Sequence, residues 1–185
     1  DQLTEGTSYL ARVVNGTEIS EEFTFTTDEP TQLYNMSFDE WSQSNPGGYT
    51  WYPRAEDGEK VWDSANPGVN MMSAVNSTRP EYVFMASKGG AAARLESVKV
   101  FGMFGAGNVF TGSFVKATIS GGVGAELDWG IPFASRPYSL KGYYSYAPKV
   151  IDNASGIHAD KMGTMDKAQI QVILTDWDEP FRVAT

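Results

Sequence analysis

The strongest constraint on this chain is a two-residue alternation of large apolar and smaller or polar side chains. No stretch places apolar residues at the 3.6-residue spacing of an amphipathic helix. In a strand, successive side chains point to opposite faces of the sheet, so alternation of this kind predicts strands. The predicted strands are 8–14, 22–27, 81–86, 93–104, 108–119, 123–134, 138–147 and 167–176. The sequence therefore predicts an all-β fold.

The first two predicted strands flank Asn15-Gly16, which is a strong hairpin turn signal. A hairpin alone is marginally stable in water, so its partner strands must lie outside this chain or on the next domain. Residues 28–31 contain Pro30 and are typical of a linker. We therefore expect one domain to end at residue 29 and a second to occupy 30–185.

Charge and composition exclude several classes of function. The formal net charge is −9, which argues against nucleic acid and against anionic membrane surfaces as partners. No cysteine is present, so thiol catalysis, thiolate metal sites and disulfides are excluded. No run of 18 apolar residues predicts a transmembrane segment. The glycines from Gly102 to Gly112 are not followed by the Lys-Ser/Thr pair of a phosphate loop, and we expect no cofactor.

Aromatic residues make up 13% of the chain, and several of them fall within predicted loops. Loop aromatics at the edge of a β-sandwich can stack on the C–H faces of sugar rings. The candidates for such a carbohydrate platform are Trp41, Trp51, Tyr52 and Trp62. The alternative is structural, because large aromatic side chains often close one end of a core.

A second candidate site combines cations with aromatic residues. If 139–147 is a strand, Lys141 and Tyr143 share one face, and Arg136 lies just before it. An arginine can bind a carboxylate or neighbouring sugar hydroxyls with two parallel hydrogen bonds. The alternative is a solvated strand face.

Catalytic and metal signals are weak. Glu126 and Asp128 lie two residues apart on a predicted strand and so share a face, as a pair of glycosidase carboxylates would. Any two acids with this spacing would give the same signal. The single histidine, His158, cannot form a zinc site without other ligands, and we predict no metal site.

The order of motifs resembles the putative carbohydrate metabolism domain family. The matching segments are 38–41 (FDEW), 51–53 (WYP), 62–68 (WDSANPG), 107–112 (GNVFTG), 130–133 (GIPF) and 140–146 (LKGYYSY). The resemblance implies a jelly-roll β-sandwich in an exported protein of a glycan-degrading Gram-negative bacterium. It implies a preceding immunoglobulin-like domain, which would end with the hairpin of residues 1–29, and further strands after residue 185. The resemblance supplies no catalytic residues.

These observations predict a carbohydrate-binding or glycan-handling module whose partner is a polysaccharide or oligosaccharide. A glycoside hydrolase and a structural or adhesive surface module are the alternatives. We expect the protein to be secreted, periplasmic or on the outer-membrane surface, with attachment through an upstream region.

Overall fold

The computed structural model describes residues 3–44, 49–71, 73–83, 90–118, 124–135, 137 and 139–184. The chain forms two compact units, Asp1–Leu33 with Pro132–Lys141, and Tyr34–Ile131 with Gly142–Thr185. The described residues are mostly β-structure with few short helices, as the alternation predicts, and the strands form several small antiparallel sheets.

The first unit contains the predicted hairpin. Its strands are β1 (Ser8–Ala11), β2 (Val14–Asn15), β3 (Glu18–Ile19) and β4 (Phe23–Thr26). β1 pairs with β4, and β2 pairs with β3 around a loop that begins at Gly16. Gly16 has φ +62°, a conformation that glycine adopts without steric cost. The Asn15-Gly16 turn signal is therefore confirmed, while membership of an immunoglobulin-like domain stays a prediction.

The second unit contains the remaining elements. In chain order they are β5 (Ser42–Gln43), β6 (Trp51–Tyr52), β7 (Trp62–Asp63), α1 (Asn66–Asn70), β8 (Thr78–Glu81), β9 (Ala92–Leu95), β10 (Val98–Val100), β11 (Met103–Gly105), β12 (Phe110–Thr118), β13 (Gly124–Trp129), a 3₁₀ helix (Gly156–Lys161) and β14 (Phe181–Ala184).

The largest sheet has four antiparallel strands in the order β14-β13-β12-β7. β12 is its longest strand and is shared between two partners. Phe110 lies opposite Asp63 on β7, and Gly112 lies opposite Trp129 on β13. Gly112 has φ +128°, and a Cβ there would collide with the main-chain oxygen of Asp128. Only glycine therefore lets β13 approach β12 at this point.

Two predicted strands are absent from the described residues. Residues 139–147 and 167–176 contain no strand. A strand needs a partner for its main-chain hydrogen bonds, and neither segment has a ladder partner in the described chain. Their side chains also fail to alternate in burial, since the neighbours Tyr143 and Tyr144 are both about 80% exposed and Val172 and Ile173 are both exposed. Alternation in sequence was therefore not sufficient to predict strand pairing here.

The most deeply buried side chains of the described residues are largely polar. The side chains with less than 2% exposure include Asn66, Thr78, Ser64 and Ser77. The Asn66 amide donates to the carbonyl oxygens of Trp51 (2.8 Å) and Thr78 (2.5 Å). Its oxygen accepts from the Thr78 N–H (3.0 Å) and from the Ser77 hydroxyl (3.4 Å). All four hydrogen-bonding positions of the amide are thus used, as a buried polar group requires.

Local sequence sets the position of Asn66. Pro67 follows it at the start of α1, where the fixed φ of proline suits the first helical turn and its missing N–H costs nothing. The Ser64 hydroxyl accepts a hydrogen bond from the Asn66 N–H (3.2 Å). The side-chain oxygen of Asn108 accepts from the Ala65 N–H (2.8 Å). The motifs 62–68 and 107–112 therefore meet in space.

We expect Asn66→Ala to destabilise the protein by about 3 kcal/mol or more, because it leaves several buried main-chain groups without partners. Chemical denaturation of the variant and the parent measures this difference. Asn70→Ala is the matched control in the same helix, since its amide makes one long, exposed contact with the Val75 oxygen (3.5 Å). Equal losses in the two variants would show that the Asn66 hydrogen bonds do not hold the fold together.

Candidate functional site

The second unit has a cavity of about 480 Å³ beside β12, within the size range of ligand sites. One wall is formed by α1 and the residue after it, through Pro67 and Met71, and the floor is formed by the 112–117 segment of β12. The polar rim comes from Tyr52, Arg54, Lys60, Asp63 and Lys116. We call this cavity the β12 pocket.

Tyr52 and Arg54 lie together on the rim of the pocket. Pro53 between them is fully buried, and its carbonyl oxygen accepts from the Asn35 amide (3.0 Å). The chain turns here, because the Arg54 N–H donates to the Tyr52 carbonyl oxygen (2.9 Å). The Arg54 guanidinium lies over the Tyr52 ring, 4.4 Å from its centroid, in a cation–π contact.

Asp63 is the buried carboxylate of the pocket, with 8% exposure. One of its oxygens accepts from the Ser64 N–H (2.8 Å) and the other from the Phe114 N–H (2.9 Å). Asp63 lies opposite Phe110 in the β7–β12 pairing, and its side chain supplies an acceptor for the Phe114 N–H further along β12. The carboxylate therefore helps to fix the floor of the pocket.

Burial raises the pKa of Asp63 above its ordinary value. The two main-chain hydrogen bonds and the charges of Arg54 and Lys60 lower the pKa, but they offset only part of the desolvation. Arg54 and Lys60 both line the same pocket as Asp63.

The loop tryptophans are occupied by contacts within the unit. The Trp41 indole N–H donates to the Phe38 oxygen (2.7 Å), and the Trp62 indole N–H donates to the Tyr34 oxygen (2.7 Å). The Trp62 ring also packs against Phe38, with centroids 5.0 Å apart. These contacts favour the structural alternative for Trp41 and Trp62.

The other two aromatic candidates lie side by side on β6. The main-chain N–H of Trp51 donates to the side-chain oxygen of Asn76 (2.9 Å), and the main-chain oxygen of Trp51 accepts from the Asn66 amide. Tyr52 lines the β12 pocket, whereas the other three members of the predicted platform, all within the described residues, do not.

The second predicted site is not assembled by the described residues. Arg136 lies outside them. Lys141 and Tyr143 are exposed, and because 139–147 is not a strand, the argument that placed them on one face does not hold. Lys141 belongs to the first unit and Tyr143 to the second.

A family model matches residues 37–184, with the description putative carbohydrate metabolism domain. The chain belongs to the putative carbohydrate metabolism domain family. The match covers most of the chain and confirms the resemblance carried by its motifs. Searches of curated proteins and of solved structures found no significant match.

The structure also bears on membrane and metal sites in this family member. Within the described ranges, no helix is long and apolar enough to cross a membrane. The same residues hold no group of three or more His, Cys, Asp or Glu side chains that could bind a metal ion.

The carboxylates Glu126 and Asp128 of this putative carbohydrate metabolism domain are held by cations. Arg182 on β14 binds both, through Nη1 to Glu126 (2.7 Å) and through Nε and Nη2 to Asp128, the latter at 2.6 Å. Lys116 approaches Glu126 at 2.9 Å. The Lys116 hydrogen bond lowers the pKa of Glu126, with a smaller effect from Arg182, and the Arg182 hydrogen bond lowers the pKa of Asp128. A general acid needs a raised pKa, so this pair does not suit acid catalysis.

Sequence reasoning missed Arg54, Lys60 and Asp63 as site residues. Asp63 was visible only as part of the 62–68 motif. Arg54 carried one usable signal, its position two residues after Tyr52 with a proline between them. Lys60 carried none, because its place on the rim depends on the packing of β7 against β12.

The pairing of Glu126 and Asp128 with Arg182 predicts a pH dependence of stability. Both carboxyls have a lowered pKa in the folded state, so their stabilising contribution is present above the ordinary values of 4.5 and 3.8 and is lost as the pH falls through the folded values. We expect Arg182→Met to lower the melting temperature at neutral pH and to lose less stability than the parent on acidification.

Melting curves between about pH 7 and pH 3 test this expectation. Lys99→Met, at an exposed cation on β10, is the control and should follow the parent. Parallel pH profiles for the parent and Arg182→Met would contradict the expected coupling.

Proposed function

We propose that this domain binds a glycan in the β12 pocket. The observation that carries the proposal is the Tyr52–Arg54 stack on the rim of a cavity of about 480 Å³, in a chain whose family is described by carbohydrate metabolism. An aromatic face with hydrogen-bond donors beside it is suited to a sugar, which presents C–H faces and hydroxyl edges. Lys60 adds a further donor, and the Asp63 carboxylate stabilises the floor.

Binding is better supported than hydrolysis. A glycosidase of the usual kind needs two carboxyl groups about 5–10 Å apart across the scissile bond. Among the described residues that line the pocket, Asp63 is the only carboxylate, and both of its oxygens accept main-chain hydrogen bonds. A glycoside hydrolase and a structural or adhesive module are the competing proposals.

The finer architecture and location are also part of the proposal. A jelly-roll sandwich, preceded by an immunoglobulin-like domain and displayed outside the cytoplasm, would present such a pocket to extracellular glycans. The antiparallel strands of the described residues support the β-class of this architecture, and the location stays a prediction.

We expect Tyr52→Ala to weaken glycan binding about tenfold, because a stacked aromatic contact contributes about 1 kcal/mol or more. A glycan array identifies a binding oligosaccharide, and calorimetry then compares the variant with the parent. Tyr82→Ala removes an exposed tyrosine that does not line the pocket and is the control.

Tyr143→Ala in the same titration distinguishes the pocket from the second predicted site. Loss of binding in Tyr143→Ala with none in Tyr52→Ala would place the glycan elsewhere. Turnover of a bound oligosaccharide would favour the hydrolase.

A further inference from the structure

The β12 pocket is locally cationic in a strongly acidic chain. Its described lining holds Arg54, Lys60 and Lys116 against the single carboxylate of Asp63, whereas the whole chain has a formal net charge of −9. Nearby charges dominate the field inside a concave site. The charged side chains that line the pocket are therefore mostly cations, unlike those of the chain as a whole.

Two of the three cations are available to a ligand. Lys116 is paired with Glu126 at 2.9 Å. The ion pairs of the described residues include neither Arg54 nor Lys60. Among the described residues Asp63 forms no ion pair with either cation, and its oxygens accept from the Ser64 and Phe114 main chain.

The geometry of Arg54 favours a planar anion. The guanidinium carbon of Arg54 lies over the Tyr52 ring, 4.4 Å from its centroid, and both side chains line the pocket. A guanidinium edge matches the two oxygens of a carboxylate, and a guanidinium already held against the ring loses less entropy on binding. A sugar ring beside Tyr52 would carry such a carboxylate at its C6 position if it were a uronic acid.

We propose that the ligand of the β12 pocket is a uronic-acid-containing glycan, whose carboxylate is bound by Arg54 and Lys60. This proposal rests on the proposed glycan-binding function and specifies its ligand class. The uronate carboxylate replaces water on the two cations, and the pyranose ring lies along the aromatic side of the rim.

Matched acidic and neutral probes test the proposal. Oligogalacturonate, unsulfated glucuronate-containing heparosan and alginate oligosaccharides are each titrated beside their methyl-esterified forms, which keep the sugar backbone and lose the charge. At least one acidic probe should bind about tenfold or more tightly than its ester. Arg54→Gln should remove most of that difference and Lys60→Gln part of it, and added salt should weaken the acidic probe selectively.

Control variants separate the pocket from general charge effects. Arg12→Gln and Lys99→Gln remove exposed cations that do not line the pocket, and both should bind like the parent. Circular dichroism verifies that each variant is folded. Tyr52→Phe keeps the ring and should retain the preference for the acidic probe.

The outcomes distinguish failure of the ligand class from failure of the function. Equal binding of the acid and ester forms, with loss in Tyr52→Ala, would overturn the uronate assignment and leave glycan binding in place. Tighter binding of a sulfated oligosaccharide than of any uronate would also overturn it. If neither these probes nor a neutral glycan array bind, both proposals are wrong.

Discussion

The buried amide of Asn66 joins three segments of the second unit. Asn66 itself lies in α1, and its four hydrogen bonds reach Trp51 on β6 and the Ser77-Thr78 segment at the start of β8. Few large apolar side chains are buried in the described chain, so apolar burial alone does not fix the relative position of these segments. A buried amide with all its hydrogen bonds formed can fix these positions, because a hydrogen bond weakens when its distance or angle changes. The positions of Trp51, Tyr52 and α1 all depend on it.

The pocket depends on this cluster through two neighbouring side chains. Asp63 precedes Ser64 and Asn66 in one short motif, and its carboxylate accepts from the main chain of β12 at Phe114. Tyr52 follows Trp51, whose carbonyl oxygen is held by Asn66. The same motif therefore helps to set both the floor and the aromatic rim, which links the family's sequence pattern to the lining of the β12 pocket.

Charge is distributed by position rather than by composition. The sequence shows Glu126 and Asp128 as a carboxylate pair on β13. Arg182 on the neighbouring strand β14 binds both, so the pair links two strands of the sheet. Arg54 and Lys60, which sequence reasoning missed, line a common cavity. The overall charge is negative, while the charged residues described in the lining of the pocket are mostly cations.

Local sequence alone determined the β-class of the fold, the Gly16 turn and the family motifs, because alternation, turn chemistry and short ordered patterns are properties of neighbouring residues. Tyr52 was also proposed as a candidate this way. Local sequence could not determine whether 139–147 and 167–176 pair as strands, because strand pairing needs partner strands from distant parts of the chain. Only the tertiary structure decided that Trp41 and Trp62 bond to the main chain, that Arg182 holds Glu126 and Asp128, and that Arg54, Lys60 and Asp63 share one pocket. The contacts of Trp62 and Arg182 join residues far apart in sequence, while the Trp41 bond and the pocket depend on how the loops turn and pack against β12. Spacing along the chain encodes neither.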